Sequence, residues 1–245
     1  MCVGKKLFET GIRVFCWGNG CSAAAEFPVT KTNQSGSGTL LLHFFASPHD
    51  PVNCIFLELA IYFMLLIGGV GTLGRIFVGS QTPANGFRAA FKKMFTEAYL
   101  LVKYALSYAQ IVNHSWRKSA LSWLSMGSGL KPSQHSLDYR AGHSQEWKAK
   151  TYYQYVKDGD YEIGRAFIAP LGTKEHSALP PHFVFNDTEG NTKPEVIAKV
   201  VAVAEHVFPW YNRVPQKFQS CLIRFLASAV YHSKWLKTTY PDLQY

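Results

Sequence analysis

The chain is short of the residues and spacings on which most recognisable chemistries are built. Its five cysteines, Cys2, Cys16, Cys21, Cys54 and Cys221, are odd in number and include no C-x-x-C pair. That argues against a disulfide framework and against a cysteine-zinc site. No apolar stretch near the N-terminus has the form of a secretory h-region. There is no P-loop, no G-x-S-x-G and no kinase set. Nine histidines are present (His43, His49, His114, His135, His143, His176, His182, His206 and His232), yet no two form an H-x-x-x-H or H-E-x-x-H pair. They read as solvated or hydrogen-bonded side chains, so no catalytic residue, metal or cofactor is expected.

Charge is missing from one place in particular. Between Asn53 and Arg75 the run CIFLELAIYFMLLIGGVGTLG, Cys54–Gly74, carries Glu58 as its only charge. A bilayer core of about 30 Å takes about 20 apolar residues in a helix rising about 1.5 Å each. The run therefore predicts a transmembrane helix over 54–75. Glu58 would lie about 6 Å inside its apolar edge, near headgroup water and the helix N-terminal dipole. Gly68, Gly71, Thr72 and Gly74 give the helix a smooth side, where small residues let a neighbouring helix approach closely. No Lys or Arg falls in the 20 residues before the run, whereas Arg75, Arg88, Lys92 and Lys93 follow it. By the positive-inside rule the C-terminal bulk then faces the matrix. The same four cations are the expected contacts to lipid or to another subunit.

Residues 69–74 also spell G-x-G-x-x-G, the dinucleotide-binding pattern of a strand, a tight turn and a helix N-terminus. The context lacks what that pattern needs. Ser80–Gly86 interrupts any following helix, and Met94 stands where an acidic residue would bind the ribose.

What is present is basic and aromatic. There are 25 Lys and Arg against 16 Asp and Glu, and residues 76–150 hold ten of the former and three of the latter. The order of segments is an N-terminal arm (1–53), the span (54–75), a basic amphipathic helical region (76–126), an extended loop-rich segment (127–193) and a C-terminal helical region (194–245). In the arm, Lys5, Lys6 and Arg13 with Leu7, Phe8, Ile12, Val14 and Phe15 sketch a basic amphipathic helix of transit-peptide kind. Residues 16–39, rich in Gly, Ser, Asn and Thr, read as irregular linker. Phe87, Phe91, Phe95, Ala98, Leu101, Val102, Ala105, Tyr108 and Val112 recur at helical spacing. Tyrosines and acids crowd 151–193 without a periodic apolar face. A capping box of Thr192 and Glu195, with Pro194 in the first turn, predicts a helix Glu195–Val207. Pro215 opens a second, Gln216–Leu236, with Phe218, Leu222, Phe225, Ala229 and Val230 as its stripe and Lys217, Arg224, Lys234 and Lys237 around it.

These features predict a mainly α chain with one transmembrane helix, amphipathic helices and long irregular arms, without an independent globular catalytic domain. A chain of that kind suits a non-catalytic accessory subunit of a multisubunit mitochondrial inner-membrane complex. Respiratory-chain assemblies contain many subunits of this class. The expected partners are other subunits and anionic, cardiolipin-like lipids, with no nucleic acid. The alternatives are a membrane-tethered dinucleotide-dependent reductase using residues 69–74 and an organellar nucleic-acid-binding protein.

Overall fold

The computed structural model describes residues 12–17, 20–27, 40–66, 89, 92–93, 103, 113–127, 132–141, 156–167 and 181–241. The described residues are mainly helical, but they also form an antiparallel sheet that the residue pattern does not announce. Strand β1, Ile12–Trp17, pairs with β2, Gly20–Phe27, and β2 pairs with β3, Leu40–Phe44. The N-terminal arm is thus not a basic amphipathic helix at Ile12–Phe15, and residues 16–39 are not wholly irregular. Trp17 pairs with Gly20 across the two residues Gly18-Asn19, a hairpin signal. What hides the hairpin is β2 itself. Ala23-Ala24-Ala25 has little intrinsic strand preference, and burial rather than propensity selects its conformation.

Burial of consecutive positions follows from a sheet covered on both sides. Ala23 of β2 lies with Phe44 and Ala46 on the face that joins the main core. One residue out of phase, Ser22 bonds to the ring of His43, and the following Phe45 meets the next helical layer. A one-residue slip would exchange the two faces, so two distinct cores fix the register.

Helix α1, Ile55–Leu65, lies in the main core, and this corrects the predicted span. It is 11 residues long, with Leu66 as its C-cap, so it rises about 16 Å against the roughly 30 Å of a bilayer core. No described helix is long and apolar enough to cross a membrane. The run is apolar all round, but its positions are not equivalent. Phe56, Leu57, Ala60 and Phe63 are buried, whereas Ile55, Glu58 and Leu65 are exposed. Phe63 packs edge-on to Trp210 and Phe218 and stacks on Phe225 at 5.9 Å. Trp210 Nε1–H donates to the carbonyl of Leu66 at 3.2 Å, satisfying an acceptor that the end of the helix leaves open. A uniformly apolar sequence does not distinguish lipid from aromatic side chains as the surroundings of a helix, and here aromatic side chains pack against its buried side.

The second layer lies within the segments read as basic or loop-rich. Helix α2, Asn113–Ser122, runs into a π-helical turn, Trp123–Gly127. Helices α3, Gln134–Ala141, and α4, Val156–Ala166, follow, so 127–193 is not wholly extended. Leu124, Leu137, Ile163 and Ala166 form a smaller core between them, and α4 packs on β3. Gly164 permits that approach, because a Cβ there would stand 2.5 Å from the carbonyl oxygen of His43.

The C-terminal part contains α5, Pro194–Val207, a 3-10 turn, Tyr211–Arg213, then α6, Gln216–Tyr231, and α7, Ser233–Thr239. Pro194 occupies the first turn as expected, but the N-cap of α5 is Lys193 and no side chain caps it. Thr192 instead bridges to Asn186 across a tight loop. The predicted single helix 216–236 is broken at His232. Helix α6 carries Phe218, Leu222, Phe225, Leu226 and Ala229 into the main core, against α1 and strand β1.

Candidate functional site

Where the sheet meets the second layer, three groups of a hydrolytic triad come together: Ser22, His43 and Asp160. Ser22 Oγ lies 2.8 Å from His43 Nδ1. Asp160, however, does not address the ring. Its Oδ2 accepts the backbone N–H of His43 at 2.7 Å, and Arg140 Nη1 donates to both carboxylate oxygens at 2.9 Å. The same nitrogen donates to the His43 carbonyl oxygen, also at 2.9 Å. A triad requires the carboxylate on the far ring nitrogen and an accessible nucleophile. Here Ser22, His43 and Asp160 are all buried, and the carboxylate holds backbone.

The arrangement is a clamp. Asp160 and Arg140 bind the peptide N–H and C=O of His43 and so fasten β3 to α4 and α3 together. Tyr161 supports the neighbouring ring edges, at 5.4 Å from His43 and 4.8 Å from Phe45. Arg140 also lies over the rings of Phe44 and Phe167, and Arg165 over Phe45. Cation–π contact and a paired carboxylate together make a buried guanidinium tolerable. In the sequence Asp160 is one of the acids that crowd 151–193, and nothing pairs it with Arg140. The available signal is an acid flanked by Gly159 and Gly164 within one helix, where both glycines allow close approach of the helix to a neighbour.

A second buried polar group joins α1 to α6. Cys54 is the N-cap of α1, and its sulfur accepts the backbone N–H of Leu57 at 3.4 Å and of Ser47 at 3.3 Å. Cys54 Sγ and Ser228 Oγ are 3.2 Å apart. His232 Nε2 donates to the Ser47 carbonyl oxygen at 2.8 Å, since a carbonyl can only accept. Asp50 closes the intervening turn by accepting the N–H groups of Val52 and Asn53. Cys221 is likewise buried, and desolvation pushes its thiol up to about 12 despite the opposing charge of Arg224. It is therefore neutral at physiological pH and donates to the Lys217 carbonyl oxygen at 3.5 Å. The Cys54–Ser228 and His232–Ser47 contacts join parts of the chain far apart in sequence, whereas the bonds of Asp50 and Cys221 are local.

Of the residues singled out from the sequence, Gly68, Gly71, Thr72, Gly74, Arg75 and Arg88 lie outside the described residues, as does the whole G-x-G-x-x-G run. All nine residues of the stripe from Phe87 to Val112 do too. Lys92 and Lys93 are helical and exposed, and Glu58 is exposed in the first turn of α1.

No family model matches this sequence, and no curated protein or solved structure matches it.

Proposed function

We propose that the chain is a non-catalytic accessory subunit of a multisubunit mitochondrial inner-membrane complex, held there by contacts with neighbouring subunits and contributing to assembly and stability. The observation behind this reading is α5. It carries Val196, Ile197, Val200, Val201, Val203 and Val207 within 14 residues, yet Ala204 is its one fully buried position. Ile197 and Val203 are 37% and 48% exposed. Val201 and Val207 pack against the main core, and the apolar positions of α5 left outside it fit a neighbour's surface. The buried clusters support the same reading, since Asp160, Arg140 and Cys54 all hold one element against another. Respiratory-chain complexes, with their many accessory subunits, are the first place to search.

The test is to purify the tagged chain from mitochondria in mild detergent and resolve it on a native gel. Stoichiometric migration with identified subunits of one complex is expected. The variant Ile197→Asp/Val203→Asp should leave that complex while retaining its own thermal melt. Recovery of the wild-type chain as a monomer without partners would overturn the reading.

A further inference from the structure

The hairpin sets two of the five cysteines opposite each other. In the ladder of β1 and β2, Cys16 is the Cα partner of Cys21, next to the closing pair Trp17 and Gly20. Directly opposed residues of an antiparallel pair have Cα atoms about 4.5 or 5.5 Å apart, according to whether they exchange hydrogen bonds. Both spacings fall within the roughly 4.4–6.8 Å that a disulfide spans. Strand alternation places the pair on the same face of the sheet as Ala23, which belongs to the main core. The buried Cys54 and Cys221 have other partners: Cys54 Sγ lies 3.2 Å from Ser228 Oγ, and Cys221 donates to the Lys217 carbonyl oxygen. From Gly20 strand β2 begins Gly-Cys-Ser-Ala-Ala-Ala, residues few of which favour a strand. A covalent tie across the ladder would fix a register that local propensity leaves weakly specified.

We propose that Cys16 and Cys21 are a redox-active dithiol, joined in the oxidised protein by a disulfide across the hairpin. The oxidant is a small-molecule disulfide such as oxidised glutathione. The thiolate of one cysteine attacks it, forming a mixed disulfide and expelling one glutathione thiolate. The other cysteine, also as thiolate, then attacks the sulfur of the first. The Cys16–Cys21 bond forms as the mixed disulfide breaks, and the second glutathione thiolate leaves. The protein gives up two thiol protons and two electrons, and one oxidised glutathione becomes two reduced ones. Because the register holds the two residues opposite each other beforehand, the second step is intramolecular and outruns attack by another glutathione. An odd number of cysteines and the lack of a C-x-x-C pair argue against a framework, not against one bond inside a hairpin. The dithiol is a property of the isolated chain and does not rest on the accessory-subunit reading.

Peptide mapping of the full-length chain tests it. The purified protein is treated with a chelator, equilibrated with oxidised glutathione, and digested with trypsin without reduction. Cleavage after Arg13 and Lys31 releases residues 14–31, which contain Cys16 and Cys21 and no other cysteine. That peptide should be lighter by two hydrogen atoms and resistant to alkylation, and dithiothreitol should reverse both. In Cys16→Ser the peptide should instead carry one glutathione on Cys21, and in Cys21→Ser one on Cys16. Repeating the equilibration in a glutathione buffer with and without urea asks whether the fold sets the pair. The equilibrium constant for linking should be on the order of ten-fold larger in the native chain, since a bond that suits the fold is favoured by it. Equal constants in the native and denatured chain would overturn the proposal. So would a native peptide alkylated at both cysteines after oxidation, or one carrying two glutathiones.

Discussion

Arg140 and Asp160 hold each other and, between them, one peptide unit of β3. Nη1 of Arg140 stands 2.9 Å from both Asp160 oxygens and from the His43 carbonyl oxygen, while Asp160 Oδ2 takes the His43 N–H. The pair is nearly dry, with 12% of the arginine side chain and none of the aspartate exposed.

Removing one partner should therefore be far more harmful than removing both. Asp160→Leu leaves a buried guanidinium uncompensated, at about 3–5 kcal/mol. In Arg140→Met/Asp160→Leu the charge problem disappears, but the His43 N–H loses its acceptor, leaving a deficit of about 1–3 kcal/mol. Urea denaturation of the three proteins measures both quantities. Strictly additive losses from Arg140→Met and Asp160→Leu would show that the clamp is not a coupled unit.

The two glycines of α4 should differ in their tolerance of a methyl group. At Gly164 the new Cβ meets backbone, the His43 carbonyl oxygen, which is already fixed by Arg140. Gly164→Ala should cost about 1–3 kcal/mol as overpacking. At Gly159 the nearest atom is Ser136 Oγ, a side chain that can rotate at the expense of its bond to Ser133. Gly159→Ala should be the milder change in a thermal melt. The reverse order would mean that α4 does not sit against β3 as described.

Alkaline pH should expose the burial of Cys221. The thiol ionises near 9.0 when the chain is unfolded but only at about 12 in the native protein, because burial penalises the thiolate. Its folded pKa lies above its unfolded one, so its contribution to stability is complete below about 9 and is lost as pH rises toward about 12. Within that window the loss should approach about 1.4 kcal/mol per pH unit. Comparing the pH dependence of unfolding in wild type and Cys221→Ala isolates this contribution from that of Tyr211, which burial and Glu205 also push up. Equal slopes in the two proteins would argue against a dry Cys221.

The helices at the C-terminus were legible because prolines punctuate them and one face is apolar: Pro194 opens α5, and Pro215 stands at the N-cap of α6. The end of the latter was not legible, since His232 continues the pattern while its bond to Ser47 comes from far away in sequence. The run that contains α1 was misread for a physical reason. Hydropathy reports how much a segment avoids water and says nothing of what replaces it. The hairpin of β1 and β2 was missed because three alanines become a strand only when both faces are covered. Most elusive was the clamp, in which Asp160 acts on a peptide 117 residues away. Spacing arguments reach a few helical turns, and nothing local marks such a partner except the glycines beside it.

The ties between Cys54 and Ser228 and between Ser47 and His232 join residues 174 and 185 positions apart. Such contacts give a high contact order, which slows folding because distant segments must meet before either is stabilised. During synthesis α1 emerges long before α6, so its aromatic side lacks its native cover until nearly the whole chain has left the ribosome. At about 5–20 residues per second that interval is on the order of ten seconds or more. Over that time Phe56 and Phe63 would be available to chaperones, and a chain truncated before α6 would reach its release from the ribosome with that side still open.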